Sequence, residues 1–295
     1  MSLRFSMLAS GSAGNAALIR GLGAGLLIDV GLGPRTLAKR LEGVGANWDA
    51  IAAVLLTHTH GDHVDSATLR LMARRGVALY CHQGHRRSLG RLEGFAHLEA
   101  AGGVKEYDDR PFLAPNGMHV EPLTLRHDGG PTFGFRVEGR ADRRGRRASV
   151  GYLADTGCWT EALADALTDV DLLGVEFNHD VDLQRGSGRS PFLIARNLGD
   201  RGHLSNAQGA DLVAEVLGRS GPGAPRHLVL LHLSQQCNRP PLAMAAARWA
   251  LRRAGRRAGV HAALQGEAYP DLRVMPPRRK SPRAATHPLF PWEAA

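Results

Sequence analysis

Cysteine is scarce in this chain of 295 residues, and the three present, Cys81, Cys158 and Cys237, are odd in number, far apart and without CxxC spacing. They fit a reducing compartment better than a disulfide framework. Long apolar runs are missing as well: no stretch reaches 18 residues without a glycine or a charge, so no membrane-spanning helix is expected. The opening run, residues 1–9, is short and gives way at once to glycines, which makes a poor signal peptide. A cytoplasmic protein is the expectation. An internal linker is lacking too.

What is present is a globular composition. Apolar residues make up 43% and charged residues 22%, and 36 glycines point to many turns and close backbone approaches. The length allows a sizeable core, as one large domain or two small ones. The formal charge of +9 comes mostly from arginine, in clusters such as Arg143-Arg144, Arg146-Arg147, Arg252-Arg253, Arg256-Arg257 and Arg278-Arg279-Lys280. Such a surface favours polyanions in general and specifies none of them.

Short strands are expected at 5–8, 16–19, 26–30, 51–56, 78–81, 117–125, 133–138, 148–154, 170–177 and 227–233. Helices are expected at 66–75, 159–167, 206–217 and 242–257, the third introduced by Ser205. The order predicts two facing mixed sheets with helices outside, a four-layer α/β architecture over residues 1–268. The proline- and arginine-rich stretch 269–295 reads as an extended tail, and the basic loop at 139–147 as solvent-facing.

Thr57-His58-Thr59-His60-Gly61-Asp62-His63 stands directly behind the apolar run at 51–56 and sets four potential metal ligands at a strand's end. Imidazole and carboxylate suit zinc and other divalent first-row ions. A turn at Gly61 aims His58 and His60 at one ion and Asp62 and His63 at another. His127, Asp155 and His232 also follow or end apolar segments. The assignment gives His58, His60 and His127 to the first ion and Asp62, His63 and His232 to the second, with Asp155 bridging. Taken singly, His127, Asp155 and His232 also read as a turn histidine, a helix cap and a buried histidine. Ser234 beside His232 lacks a serine-hydrolase framework.

This set resembles the dinuclear ligand set of the metallo-β-lactamase superfamily, which implies the αββα fold and two divalent ions, zinc or manganese. Within it, Leu8-Ala9-Ser10-Gly11-Ser12-Ala13-Gly14-Asn15, Asp155-Thr156-Gly157, Glu176-Phe177-Asn178-His179-Asp180, Gly202-His203-Leu204-Ser205-Asn206 and Leu231-His232-Leu233-Ser234-Gln235-Gln236-Cys237-Asn238 resemble the WalJ/YycJ family. The likeness implies a metal-dependent phosphodiester hydrolase, foremost a DNA exonuclease, with RNA processing or a small cyclic or linear phosphodiester as alternatives. Nucleic acid is the expected partner and no membrane is. Without a separate clamp domain, the core surface must hold the substrate, aided by the arginine loop. Cys158, the stretch Asp128-Gly129-Gly130-Pro131 and the arginines of 139–147 depart from the family pattern and leave room for a different substrate shape.

The expected mechanism is attack on phosphorus by a metal-bridging hydroxide that Asp62 orients. His203, oriented by Glu176, protonates the leaving oxygen, and the swapped assignment, His203 as ligand and His232 as donor, stays open. Asn15 is expected to support the substrate or the first ligand loop and Ser12 to add a hydroxyl to that loop, while Asn206 and Asn238 are expected to support the substrate or a loop.

Overall fold

The computed structural model describes residues 1–268 and 271–276. The first sheet takes β1 (Leu3–Ala9), β2 (Ala16–Arg20), β3 (Gly25–Ile28), β4 (Ile51–Leu55), β5 (Ala78–His82) and β6 (Val104–Tyr107). The second takes β7 (Phe112–Leu113), β8 (His119–Leu125), β9 (Thr132–Glu138), β10 (Ser149–Leu153), β11 (Leu172–Glu176), β12 (His227–Leu231) and β13 (Gly259–Ala262). β14 (Leu272–Val274) returns to the first sheet and pairs with β1, giving the order β14-β1-β2-β3-β4-β5-β6. The second sheet runs β13-β12-β11-β10-β9-β8-β7. Each is antiparallel on one side and parallel on the other, with the change at β3 and at β10.

Strand periodicity sorts the apolar side chains into three packed layers, because successive residues face opposite sides. Ala53 and Leu55 of β4 meet Val150 and Tyr152 of β10 and Val229 and Leu231 of β12 between the sheets. Val54 and Leu56 instead pack outward on α1 (Pro34–Gly43) and α2 (Ser66–Arg75) through Leu37, Leu41, Leu69 and Met72. After α3 (Arg86–Leu89), α4 (Glu93–Ala100) joins that layer with Phe95 and Leu98. On the other side Leu153, Leu173 and Leu228 meet helices following α5 (Glu161–Ala166), α6 (Val181–Arg185) and α7 (Pro191–Leu198). These are α8 (Asn206–Arg219), through Val213 and Val216, and α9 (Pro240–Arg253), through Ala243 and Ala247. The architecture is the four-layer αββα fold.

Helix starts follow side-chain chemistry. Asp65 accepts from Thr68 N to cap α2, Thr160 caps α5, and Ser205 forms a reciprocal capping box with Gln208 at α8. Asp155, read singly as a cap, therefore caps nothing at α5. The expected tail is corrected at its first residues: Leu3 pairs with Val274 and Phe5 with Leu272, so the first sheet extends past 268. Residues 269–270 and 277–295 lie outside the described residues.

The arginine loop at 139–147 joins the far end of β9 to the start of β10, whereas Asp155 follows the end of β10. Five strand residues at about 3.4 Å each hold it roughly 17 Å from that edge. Part of its charge is also spent locally, since Arg146 pairs with Asp142 at 2.7 Å. The expected help from this loop in holding substrate at the ligand edge is not what the topology provides.

Candidate metal centre

Asp29, the 57–63 loop, Asp155, Glu176 and His232 all leave the carboxyl ends of parallel strands β3, β4, β10, β11 and β12. His127 follows β8. That edge, where connections diverge, is where open α/β sheets place their sites. Three of these residues take left-handed backbone: Asp29 (φ 62°), Asp155 (φ 60°) and His232 (φ 55°). Non-glycine residues seldom adopt this conformation, and it turns each side chain off its strand into the cleft.

The Ser10–Asn15 turn braces the ligand loop. Asn15 N donates to Asp62 O at 2.7 Å, and its amide lies 3.2 Å from Asp62 Oδ2 and 2.9 Å from His63 Nε2. Gly31 lets the loop approach, because a Cβ there would sit 1.7 Å from Asp62 O. Gly129 does the same for the ligand rings, since its Cβ would fall 2.6 Å from His58 Cδ2.

The side chains gather in overlapping groups whose ligand atoms all lie within 4.8 Å of one another: His58, His60 and His127; His58, His63 and Asp155; Asp62, His63 and His232; and Asp155, Glu176, His203 and His232. The first and third are the two triads expected from sequence, and Asp155 adjoins both: it groups with His58 of the first and lies 2.9 Å from His63 Nε2 and 3.3 Å from His232 Nδ1 of the other.

In four histidines one ring nitrogen is tied behind. His58 Nδ1 meets Thr57 Oγ1 at 3.0 Å, His63 Nδ1 meets Asp29 Oδ2 at 2.7 Å, His127 Nδ1 meets Gly202 O at 2.9 Å, and His232 Nδ1 meets Glu176 Oε1 at 3.1 Å. Such outer partners fix the tautomer and direct the other nitrogen's lone pair to a metal. Asp29 also accepts from Thr57 N and Oγ1, so one buried carboxylate orients two ligand positions. Sequence reading missed it. Its signal was Asp29 at the end of an apolar strand, which spacing alone does not distinguish from a turn residue.

His232 Nε2 supplies the test of fit for an ion. It is buried without a hydrogen-bond partner, and Asp62 Oδ2, at 3.7 Å, is too far for one. A buried ring nitrogen without a partner, facing carboxylates and imidazoles, is a position that a divalent cation can fill. Charge is consistent with that. Burial, then the neighbouring His63, keeps His58 well below the ordinary imidazole value, and burial likewise lowers His127, so both are neutral donors. Burial also opposes the charged form of His63, yet Asp29 and Asp155 outweigh it and lift it to about 10. Burial raises Asp155, but His232 and His63 hold it well below the usual carboxylate range. The clustered carboxylates thus favour positive charge at His63 and His232, which a divalent ion would supply in place of protons.

His203 Nδ1 lies 2.8 Å from Glu176 Oε1, beside both triads, with its ring 5.0 Å from that of His127 and 5.1 Å from that of His232. Burial alone would raise Glu176, but His203, by charge and hydrogen bond, and His232 bring it down to about 2. Glu176 Oε2 accepts from Thr156 N and Leu204 N, tying the Asp155 and His203 loops together.

The other expected support residues differ in what they touch. Ser12 is exposed on its turn, and Ser10 makes the contact instead, accepting from His232 N at 2.7 Å. Asn206 and Asn238 form a buried reciprocal amide pair at 3.0 and 2.9 Å, and Asn238 also donates to Phe177 O. They fasten the loop after β11, which is support of a loop and not of the first ligand loop. Cys158 is partly exposed next to Thr156, whose hydroxyl donates to its carbonyl.

Two groups of side chains able to hold metal ions thus lie at one sheet edge of an αββα fold, as in a metal-dependent enzyme. Residues 25–233 match the beta-lactamase superfamily domain, and the chain belongs to that family as a member with the metallo-β-lactamase fold. Within it, the chain is 28% identical over 251 residues to exodeoxyribonuclease WalJ of Streptococcus pneumoniae, covering 82% of this chain and 86% of that protein. It is 27% identical over 250 residues to exodeoxyribonuclease YycJ of Bacillus anthracis, covering 82% and 87%. Among solved structures, the metallo-beta-lactamase fold protein YhfI from Bacillus subtilis superposes with a TM-score of 0.64 at 17% identity, covering 91% of this chain and 99% of that one. No helix among the described residues is long and apolar enough to cross a membrane.

Proposed function

We propose that this chain is a dinuclear-metal-dependent phosphodiesterase that degrades nucleic acid, most specifically a DNA exonuclease. The observation that carries the chemistry is the shared placement of Asp155 between two histidine-rich triads, with the His203–Glu176 pair beside them. The preference for DNA rests on the likeness to WalJ and YycJ.

When bound, two divalent ions, zinc or manganese, would supply activated water and offset charge on the phosphate oxygens. His58, His60 and His127 would hold one ion, Asp62, His63 and His232 the other, and Asp155 both. Asp62, held by the Asn15 amide and 22% exposed at its side chain, faces the cleft and orients the attacking water. His203 keeps Nδ1 on Glu176 and so turns Nε2 towards the leaving oxygen, to which it passes a proton. Arg196 and Arg201 stand on the rim: Arg196 pairs with Asp128 and Arg201 reaches His127 O. They favour an anionic substrate larger than the metal pocket. The distance of the arginine loop from this edge is the one feature that favours a small phosphodiester instead.

The test is degradation of end-labelled single- and double-stranded DNA and matched RNA by metal-reconstituted protein beside Asp155→Asn. Cleavage of DNA that vanishes in the variant supports the reading and shows polarity. Inertness of fully metallated protein towards every polymer, with turnover of small diesters, would replace it by the small-substrate activity.

A further inference from the structure

Between β11 and α8 the chain leaves the sheet and builds α6 and α7, which belong neither to the packed layers nor to the ligand set. α7 nonetheless reaches the metal centre. Arg196 donates through Nε to Asp128, and Asp128 Oδ1 lies 3.4 Å from His127 Nε2 and 3.8 Å from His60 Nε2. A guanidinium engaged through Nε keeps its Nη edge for a second anion.

One turn earlier stands Phe192, 80% exposed. Residues four apart on a helix are surface neighbours, with about 5–6 Å between Cβ atoms, and Phe192, Ala195 and Arg196 all fall on the exposed side. α7 is anchored by Asn197 on its other side, with Leu193, Ile194 and Leu198 half-buried. Phe192 is thus no part of the anchor. The turn that carries it is fixed, since Ser190 caps it by accepting from Leu193 N. An isolated exposed apolar residue needs no explanation, but this ring stands on a capped turn, one turn from an arginine paired with Asp128, which lies 3.4 Å from His127 Nε2. Arg189 precedes it, with its guanidinium held on Gln236. Aromatic and basic side chains interleaved along a path are how single strands are held: bases stack and phosphates pair, with little regard to sequence.

We infer that Phe192 is a stacking platform for a base of a single-stranded nucleic acid whose backbone phosphate meets Arg196 on the way into the metal centre. This rests on the nucleic-acid reading above and adds to it where the strand lies. Phe192 is a specificity-determining residue here and touches no reacting atom.

The experiment uses full-length, metal-loaded protein, wild type, Phe192→Ala and Phe192→Trp. Binding is read with a single-stranded, cleavage-resistant phosphorothioate oligonucleotide carrying 2-aminopurine near its end, whose emission reports stacking. Cleavage of the ordinary oligonucleotide and of bis(4-nitrophenyl) phosphate is followed in parallel. Phe192→Ala is expected to weaken binding by about 5- to 100-fold and to abolish the stacking signal. Its loss on the oligonucleotide should appear in KM and exceed any loss on the small diester at least about fivefold, and Phe192→Trp should restore binding. Wild type that does not bind the oligonucleotide, binding indifferent to Phe192, or equal losses on both substrates would overturn the inference. Failure of the nuclease reading looks different: wild type then binds and stacks the strand but does not cleave it.

Discussion

Asp29 Oδ2 lies 2.7 Å from His63 Nδ1, and both side chains are wholly buried. The carboxylate therefore acts on the metal centre through the imidazole it orients, and through Thr57 on the neighbouring His58. Asp29→Asn should leave both ligand triads in place and lower metal affinity by about 10- to 100-fold. Competition against a chelator measures it, and unchanged affinity would show that His63 needs no such partner.

Asp155 stands between the two triads, so Asp155→Asn should cost activity and metal together. The expected result is loss of nearly all hydrolysis with fewer than two metal equivalents retained on dialysis. Full activity with normal metal content would remove Asp155 from the bridging position.

His203→Ala separates the two assignments of the histidines. With His203 as proton donor, turnover should fall by about 10²- to 10⁴-fold while both metal equivalents remain, whereas His232→Ala should lose one. Metal loss on His203→Ala would exchange the roles of His203 and His232.

Gly129 has no side chain because the rings of His58 and His60 occupy its space. A methyl in Gly129→Ala would meet His58 Cδ2 at 2.6 Å and His60 Cε1 at 3.1 Å. Metal affinity and activity should fall together with little change in the folded core, which metal analysis beside circular dichroism would show.

Asp171, between β10 and β11, is pushed up to about 7 by burial, against its bonds to Ser149. A carboxyl whose folded value exceeds its unfolded value of 3.8 binds its proton more tightly when folded. Its contribution to stability is full below about pH 4 and is lost as pH rises through about 7. Relative to wild type, Asp171→Asn should therefore gain on the order of 1–3 kcal/mol between pH 5 and pH 8. Urea denaturation of metal-free protein at the two pH values measures it, and a constant difference would refute the shift.

Sequence legibility followed the strength of local signals. Helix 66–75 was readable to the residue because Leu69 and Met72 recur on one face between Asp65 and Gly76. The 57–63 loop was readable because ligand spacing and a preceding apolar strand coincide. α1 went unread although Leu37 and Leu41 are four apart, since glycines crowd its start. β13 and β14 are too short to show a period, and their pairing is long-range. The roles of Asp29 and Ser10 were not readable for a related reason: each acts on a residue far along the chain, Ser10 on His232 and Asp29 on His63. Arginine density drew attention to 139–147, yet strand direction, which composition does not contain, puts that loop at the opposite edge.

The ligands divide between the sheets: His58, His60, Asp62 and His63 hang from the first, His127, Asp155 and His232 from the second. Each bound ion would then be a clasp across the molecule's midline, joining halves otherwise held by the apolar layer between them. Loading the centre should tighten the whole fold, and stripping it should loosen first the seam where the sheets part, so that metal supply would govern the durability of the fold as well as any hydrolysis.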